Sequence, residues 1–573
     1  MAKYLLLLVL IFSQLAAFAR DYCAELMIQN TTILVKNGKL FKTNYFELKI
    51  NNRAGEKYGK IAIAYSKMNK ITHLEAFIKD DKGNVSHKLK KSEIVRRSSI
   101  ADFSLYEDDF VMEFTIRHNN YPYTIVYSYE EKIDEFLYID YWIPVFDEEI
   151  PTRNAQLKVS VDKGYKIKYQ NQLVDSPKIS TTEEQIEFLW KAQYTEVLKS
   201  EPYAPPLENF MPKVVVLPET FFYETEGSFK SWHSYGRWNS ELMNDANDLP
   251  MYEKEVVAKL VRNITSPEEK IKTLYHYLQD NTRYINVSIE TGGLKAYPAS
   301  YVSQNKYGDC KALTNYFKSV LEEVGIRGYY TTVYAGDQIM EIDRSFPSQQ
   351  FNHVILFIPL DHDTIWLDCT SKGAFNYLGT FTQNRYALLT DKNSSRLVKT
   401  PPLTPADVRD FRKIKVSSQL HNVAIVFQNS YKGELYEGLL SLEKNYSQIE
   451  KDQIVRKHFV SNGIEINNYE IAPHDRDSVR IEIAINATSK SIFKHYGNDI
   501  LIGNLSFDLP PITPPVDRML PIQIDYPICK MDSICFEIPN NVQLIVEKIR
   551  PMRLQPGLGP INSTWFKGLI LSM

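Results

Sequence analysis

Apolar and polar residues alternate with a period of two over much of the first 218 residues. Phe46-Glu47-Leu48-Lys49-Ile50 and Gln156-Leu157-Lys158-Val159-Ser160-Val161 show it clearly. A period of two sends successive side chains to opposite faces of a strand. The pattern predicts strands over 32–36, 45–50, 60–65, 71–78, 110–117, 123–129, 137–143, 156–161, 185–190 and 214–217. Turn signals such as Lys82-Gly83-Asn84 and Asp162-Lys163-Gly164 separate them. Many short strands with polar turns predict an antiparallel sandwich. The charged run 88–97 reads as a solvated face and loop.

The period then lengthens to that of helices. One helix is predicted over 252–263. Ser266-Pro267-Glu268-Glu269 opens the next, with an N-cap, a proline at the first position and glutamate at the third. Its apolar stripe is Ile271, Leu274, Tyr275 and Leu278. A third stripe, Ala312, Leu313, Tyr316, Phe317, Val320, Leu321 and Val324, stops at Gly325. Strands follow over 329–335, 351–358 and 364–369, and a proline-rich exit at Pro401-Pro402 and Pro405. From 407 the pattern is again β: 413–418, 423–428, 464–471, 479–485 and 542–548, with one helix over 440–458. Pro510-Pro511 and Pro514-Pro515 mark a rigid loop. Residues 219–250 are aromatic-rich and irregular. Phe229, Trp232, Tyr235 and Trp238 there form either a docking segment between domains, the preferred reading, or a wall of a substrate cleft.

The fold class is therefore multidomain α+β. A chain of 573 residues is too long for one core. The boundaries read as a leader over 1–19, an N-terminal β-sandwich over 20–245, an α+β core over 246–400 and a β-rich domain over 401–573. The formal net charge is −3. With no lysine/arginine-rich run, this gives no footprint for nucleic acid. Lys3, the apolar run 5–12 and the small-x-small triplet Ala17-Phe18-Ala19 read as a secretory signal cut after Ala19. That run is too short to span a bilayer, and no later segment is apolar enough to do so. The expectation is an exported, soluble chain, periplasmic or extracellular. In an oxidising compartment the five cysteines invite pairing. Cys529 and Cys535 flank a short turn-like stretch and are the natural disulfide. Cys369 reads as a buried apolar residue. No metal-ligand cluster has convincing spacing, and no cofactor is expected.

The chemistry sits at Tyr307-Gly308-Asp309-Cys310-Lys311-Ala312-Leu313. A tight turn drops Cys310 onto the first turn of a helix, and Asp309 is the natural N-cap. Free N–H groups and the helix dipole favour an anion there, the condition under which a thiol becomes a nucleophile. Downstream, His353 and Asp368 fall on two strands joined by a short loop. They are an odd number of residues apart, so an even-length hairpin loop is expected to place them directly opposite each other, on one face of the ladder. An acid beside an imidazole fixes its tautomer, and an imidazole beside a cysteine makes the thiolate.

Gly308-Asp309-Cys310-Lys311, Phe351-Asn352-His353-Val354 and Trp366-Leu367-Asp368-Cys369-Thr370 resemble the core of the transglutaminase-like superfamily, over about residues 266–400. The likeness is greatest to bacterial exported proteins with a β-rich domain of unknown function before this core. In that group the cysteine is often followed by Lys-Asp, whereas here Lys311 is followed by Ala312. The resemblance implies a papain-like fold and a Cys310–His353–Asp368 triad. Gln304, six residues before the cysteine, matches the offset of the papain-like oxyanion glutamine and is an oxyanion candidate. The implied activity is cleavage or transfer of amide bonds in a peptide or protein substrate through an acyl-enzyme; the export signal and the lack of any calcium-loop pattern favour hydrolysis over cross-linking. The other class of function open to this sequence is a non-catalytic exported binding or scaffold protein, using the papain-like core and flanking β domains to recognise protein or glycan.

Overall fold

A computed structural model describes residues 22–98, 104–107, 109–288, 293–418, 423–460, 463–490, 492–497, 499–503, 505, 518–537, 543–545, 552–553, 562–563 and 570–572. The leader over 1–19 and the prolines at 510–515 lie outside them. The chain forms two compact units. The first holds residues through Val333, with Met340–Leu356 and Ala387–Val398. The second holds Tyr334–Ile339, Phe357–Tyr386 and residues from Lys399 onward.

The N-terminal part of the first unit is a sandwich. Its large sheet has eight strands, in the order Lys178–Thr181, Gln185–Tyr194, Thr152–Asp162, Ala24–Lys36, Lys39–Ile50, Tyr123–Ile133, Asn69–Lys79 and Val85–Lys88. One pairing departs from the antiparallel expectation: Ala24–Lys36 runs parallel to Thr152–Asp162, with Ile33 opposite Val159. Alternation decides what each face does. Leu26, Leu48, Ile50 and Tyr127 meet Ile61, Ile63 and Phe114 in one core. Ile33, Val35, Leu157, Val159 and Trp190 meet Trp142, Val214 and Val216 in another. Those partners come from two smaller sheets. One is Lys60–Ser66, Asp109–Thr115 and Val95–Ser98; the other is Asp140–Trp142, Lys213–Pro218 and Ile167–Gln172. The charged run behaves as expected, since strand Val95–Ser98 is exposed along its length.

Residues 219–250, predicted as irregular, instead form a hairpin, Thr220–Tyr223 with Thr225–Ser228, and a helix, Trp232–Leu242. Ser231 caps that helix by accepting from the Ser234 N–H. Helices Met251–Val261, Pro267–Asn281, Ala299–Asn305 and Cys310–Glu323 follow. Strand Tyr329–Val333 then pairs antiparallel with Tyr386–Leu389.

In the second unit, the strands Ile464–Ile471, Ile481–Ser489, Val423–Tyr431, Arg409–Ser418 and Cys529–Glu537 lie in that order in one sheet. Ile414, Val416, Ile425, Phe427, Ile483 and Ile485 pack against Tyr436, Leu439 and Val455. The helix predicted over 440–458 is two helices, Glu434–Asn445 and Gln448–His458. The break falls where Ser447 and Glu450 form a capping box, a start signal strong enough to open a new helix.

The expected Cys529–Cys535 disulfide is absent. Both cysteines lie on one continuous strand, opposite Arg409 and Lys415 of its neighbour, and both are free. Six residue steps of extended chain separate their Cα atoms by about 20 Å, whereas a disulfide needs Cα atoms within about 7 Å. The stretch between them, short and mostly polar, resembles a turn in sequence alone. In fact Ile534 and Phe536 pack on the core from alternate positions. Cys369 is buried, as expected.

Candidate active site

The approach to Cys310 is held by backbone. Lys306 takes a left-handed conformation (φ 57°) and ends the helix Ala299–Asn305. Tyr307-Gly308 then pairs parallel with Arg283–Tyr284, and the Ile285 N–H donates to the Gly308 carbonyl at 3.0 Å. Position 308 has no room for a side chain, because a Cβ there would lie 2.8 Å from the Ala312 Cβ. Asp309 is the N-cap: its Oδ1 accepts the Ala312 N–H at 2.8 Å. Cys310 is the first helical residue and is 8% exposed. Its neighbour Lys311 is also largely buried and forms an ion pair with Asp309 Oδ2. Burial pulls the Lys311 ammonium down, but the charges of Asp309 and Cys310 outweigh it and the net direction is up. Across from this turn, burial holds the Tyr330 phenol well above its ordinary value, with Cys310 and Asp309 adding to the shift.

The helix is anchored from below by one carboxylate. Glu253, 1% exposed, accepts from Tyr277 Oη (2.7 Å), Tyr316 Oη (2.6 Å), Ser303 Oγ (2.6 Å) and Lys306 Nζ (3.2 Å). Burial pushes its carboxyl up, yet these hydrogen bonds and the Lys306 charge hold it below the usual range. Glu253 thus joins its own helix and two others to the cysteine helix. Sequence reasoning missed it, although it lies in register with Val257 and Val261, the other buried positions of its helix. A charge on a buried stripe was the available signal.

His353 begins the strand His353–Pro359 and is half-buried. One residue earlier, the Asn352 N–H donates to the Val333 carbonyl at 3.2 Å. One residue later, the Val354 carbonyl accepts from Thr314 Oγ1 at 3.5 Å. Thr314 lies four residues beyond Cys310, and i, i+4 positions share a helix face. The cysteine helix therefore turns the Cys310 face toward the histidine strand. The loop before His353 is fixed by the N-terminal part of the unit. Tyr235 Oη donates to Gln349 Oε1 at 2.6 Å, Tyr138 Oη to the Gln349 carbonyl, and Trp232 Nε1 to the Arg344 carbonyl at 2.7 Å. Gln170 bonds Asp343, and Lys168 Nζ stands 5.1 Å over the Phe346 ring. The aromatic segment is thus a docking element, with Phe229, Tyr235 and Trp238 buried.

Asp368 follows the strand Thr364–Leu367 and is 7% exposed. Its Oδ1 accepts from the Thr370 N–H (2.9 Å) and Oγ1 (2.6 Å). The turn before that strand closes where the Leu360 N–H donates to the Asp363 carbonyl, with two residues between. Gln304 is exposed on the helix Ala299–Asn305. Among the described residues no group of three or more His, Cys, Asp or Glu is placed to hold a metal ion. Nor is any described helix long and apolar enough to cross a membrane.

Residues 254–368 match the transglutaminase-like superfamily. Residues 36–197, ahead of it, match a domain of unknown function with solved structures, DUF3857. The chain thus carries a transglutaminase-like core behind that domain. Among solved structures, a protein from Parabacteroides distasonis, provisionally named a protease, is 12% identical. The match covers 82% of this chain and 94% of that one, with a TM-score of 0.54, a likeness of fold. A provisionally named cysteine protease from Cytophaga hutchinsonii is 10% identical over 58% of this chain and 76% of that one. Its TM-score is 0.17. No curated protein matches the chain.

Proposed function

We propose that the chain is an exported cysteine enzyme that opens amide bonds of peptides or proteins through an acyl-enzyme. Cys310 attacks the amide carbonyl, His353 takes the thiol proton and returns it to the leaving amine, and Asp368 orients the imidazole. The observation that carries this reading is the Thr314–Val354 hydrogen bond, which joins the Cys310 face of the helix to the residue after His353. The third role rests on the odd spacing of His353 and Asp368 in the sequence. The Cys310 backbone N–H, free at a helix start, is the natural oxyanion donor; Gln304 is the candidate for the second. The protease name attached to the Parabacteroides relative agrees with amide substrates. Water as the acceptor gives hydrolysis and an amine gives transamidation; we favour hydrolysis.

The test is profiling of the mature protein against a peptide library, beside its Cys310→Ala variant, with and without a primary amine. New termini made by wild type, lost in the variant and unchanged by the amine, are expected. Equal activity of the two proteins sinks the mechanism. Products that carry the amine sink the hydrolytic preference.

A further inference from the structure

An acidic N-cap is an awkward neighbour for a nucleophilic cysteine. Asp309 satisfies the helix start through Oδ1, but its negative charge stands one residue from the sulfur and opposes a thiolate there. The side chain is 1% exposed, so water screens little of that charge. Lys311 answers it. Its ammonium is brought inward, to 12% side-chain exposure, against Asp309 Oδ2. A buried ammonium is costly unless it is paired, and this pairing makes Asp309 and Lys311 together neutral beside Cys310. The phenols of Tyr297, within reach of Lys311, and of Tyr330, near Cys310 and Asp309, also face this point, and are neutral at the pH of interest. In the proposed reading the His353 imidazole faces the sulfur as well, and it is the same in every variant compared.

We propose that Lys311 is a positioning residue of the reaction: it cancels the Asp309 charge so that the helix start sets the electrostatics at the Cys310 sulfur. This rests on the reading of Cys310 as the nucleophile. In effect, the Gly-Asp-Cys-Lys run combines a rigid cap with an anion site, two demands that an aspartate alone sets against each other.

The test uses the full chain and iodoacetamide, whose iodide the Cys310 thiolate displaces. The rate is followed at the Cys310 peptide by mass spectrometry from pH 5 to 9. Lys311→Met is expected to react about tenfold more slowly at pH 6, with its profile displaced to alkaline pH. Adding Asp309→Asn to that variant is expected to restore the wild-type rate, because asparagine caps as well without the charge. A purely structural lysine would not be rescued by removing its partner's charge. Superimposed wild-type and Lys311→Met profiles, or a double variant as slow as Lys311→Met, overturn the inference. Should Lys311→Met fail to fold, Asp309→Asn alone carries the test. It is expected to react faster than wild type at pH 6, and a slower reaction overturns the proposal. If wild-type Cys310 itself reacts at pH 6 no faster than a small-molecule thiol, the nucleophile reading falls, and this inference with it.

Discussion

Glu253 is the residue on which the cysteine helix stands, and its removal has a defined sign. Four donors converge on its two oxygens. Glutamine at this position keeps one acceptor oxygen in place of two and removes the charge that pairs with Lys306 Nζ. Glu253→Gln should therefore cost about 1.5–3 kcal/mol at neutral pH, the range for hydrogen bonds to a charged group, read as a lower midpoint in urea. The folded carboxyl titrates below its unfolded value. Its contribution is thus fully present above about pH 4.3 and lost as pH falls through the folded value. Wild type and variant should converge in stability as the pH drops; a constant gap would mean that the charge is irrelevant. Within the proposed triad, His353→Ala should lose about a hundred- to ten-thousand-fold in kcat/KM, the span of general acid–base catalysis. Asp368→Asn should lose less, since an amide oxygen still accepts a hydrogen bond. Equal losses would mean that Asp368 does more than orient the ring. Cys310, His353 and Asp368 stood out in the sequence because each carries its own local signature of cap, strand and turn. Glu253 did not, because its meaning comes from Ser303, Tyr277 and Tyr316, which only the fold brings to it.

At the scale of elements, period was a better guide than polarity. The sandwich strands and the stripe beginning at Ala312 were legible because one face of each is buried and the repeat shows it. Short polar stretches were read too readily as turns. Lys530 to Ser533 continue a strand whose inward positions are only Ile534 and Phe536 among the strong hydrophobes, too few to display a period. The same logic hid the Ser447 break, where two helices carry apolar residues across one boundary and only the capping box divides them. Ser447→Ala should cost about 1 kcal/mol, with a loss of helical signal confined to Gln448–His458 in hydrogen exchange. The strand assignment also requires that Cys529 and Cys535 both alkylate in the unreduced, unfolded chain. A linked peptide in a non-reduced digest would show that this strand had been drawn wrongly. Between residue and element stands Tyr235, whose hydroxyl holds Gln349 in the loop before His353. Tyr235→Phe keeps the buried ring, so it should lower kcat more than stability.

For the whole molecule, the sequence separates a sandwich from a transglutaminase-like core, but the structure ties the first to the second. Tyr138, Lys168 and Gln170, all from the sandwich, reach the loop at 343–349. Helix Trp232–Leu242 adds Trp232 and Tyr235, and Gly236 lets it approach Ser395 so closely that a Cβ would lie 2.6 Å from that side chain. No local pattern announces such contacts. They join residues far apart in sequence, and each of these side chains reads by itself as an ordinary surface aromatic, amide or lysine. The consequence is testable by truncation. A chain beginning at Pro250 keeps Cys310, His353, Asp368 and the Glu253 network, yet loses every one of these anchors. It also uncovers the ground on which Phe229, Tyr235 and Trp238 were packed. Compared with the full chain, it should melt at lower temperature and show faster hydrogen exchange over 340–352. Its turnover should fall by at least the hundred-fold that misplacing a general base by about 1 Å can cost. If the truncated chain turned over at the full rate, the loop before His353 would be self-supporting, and the N-terminal domain would be a separate binding module that merely precedes the enzyme.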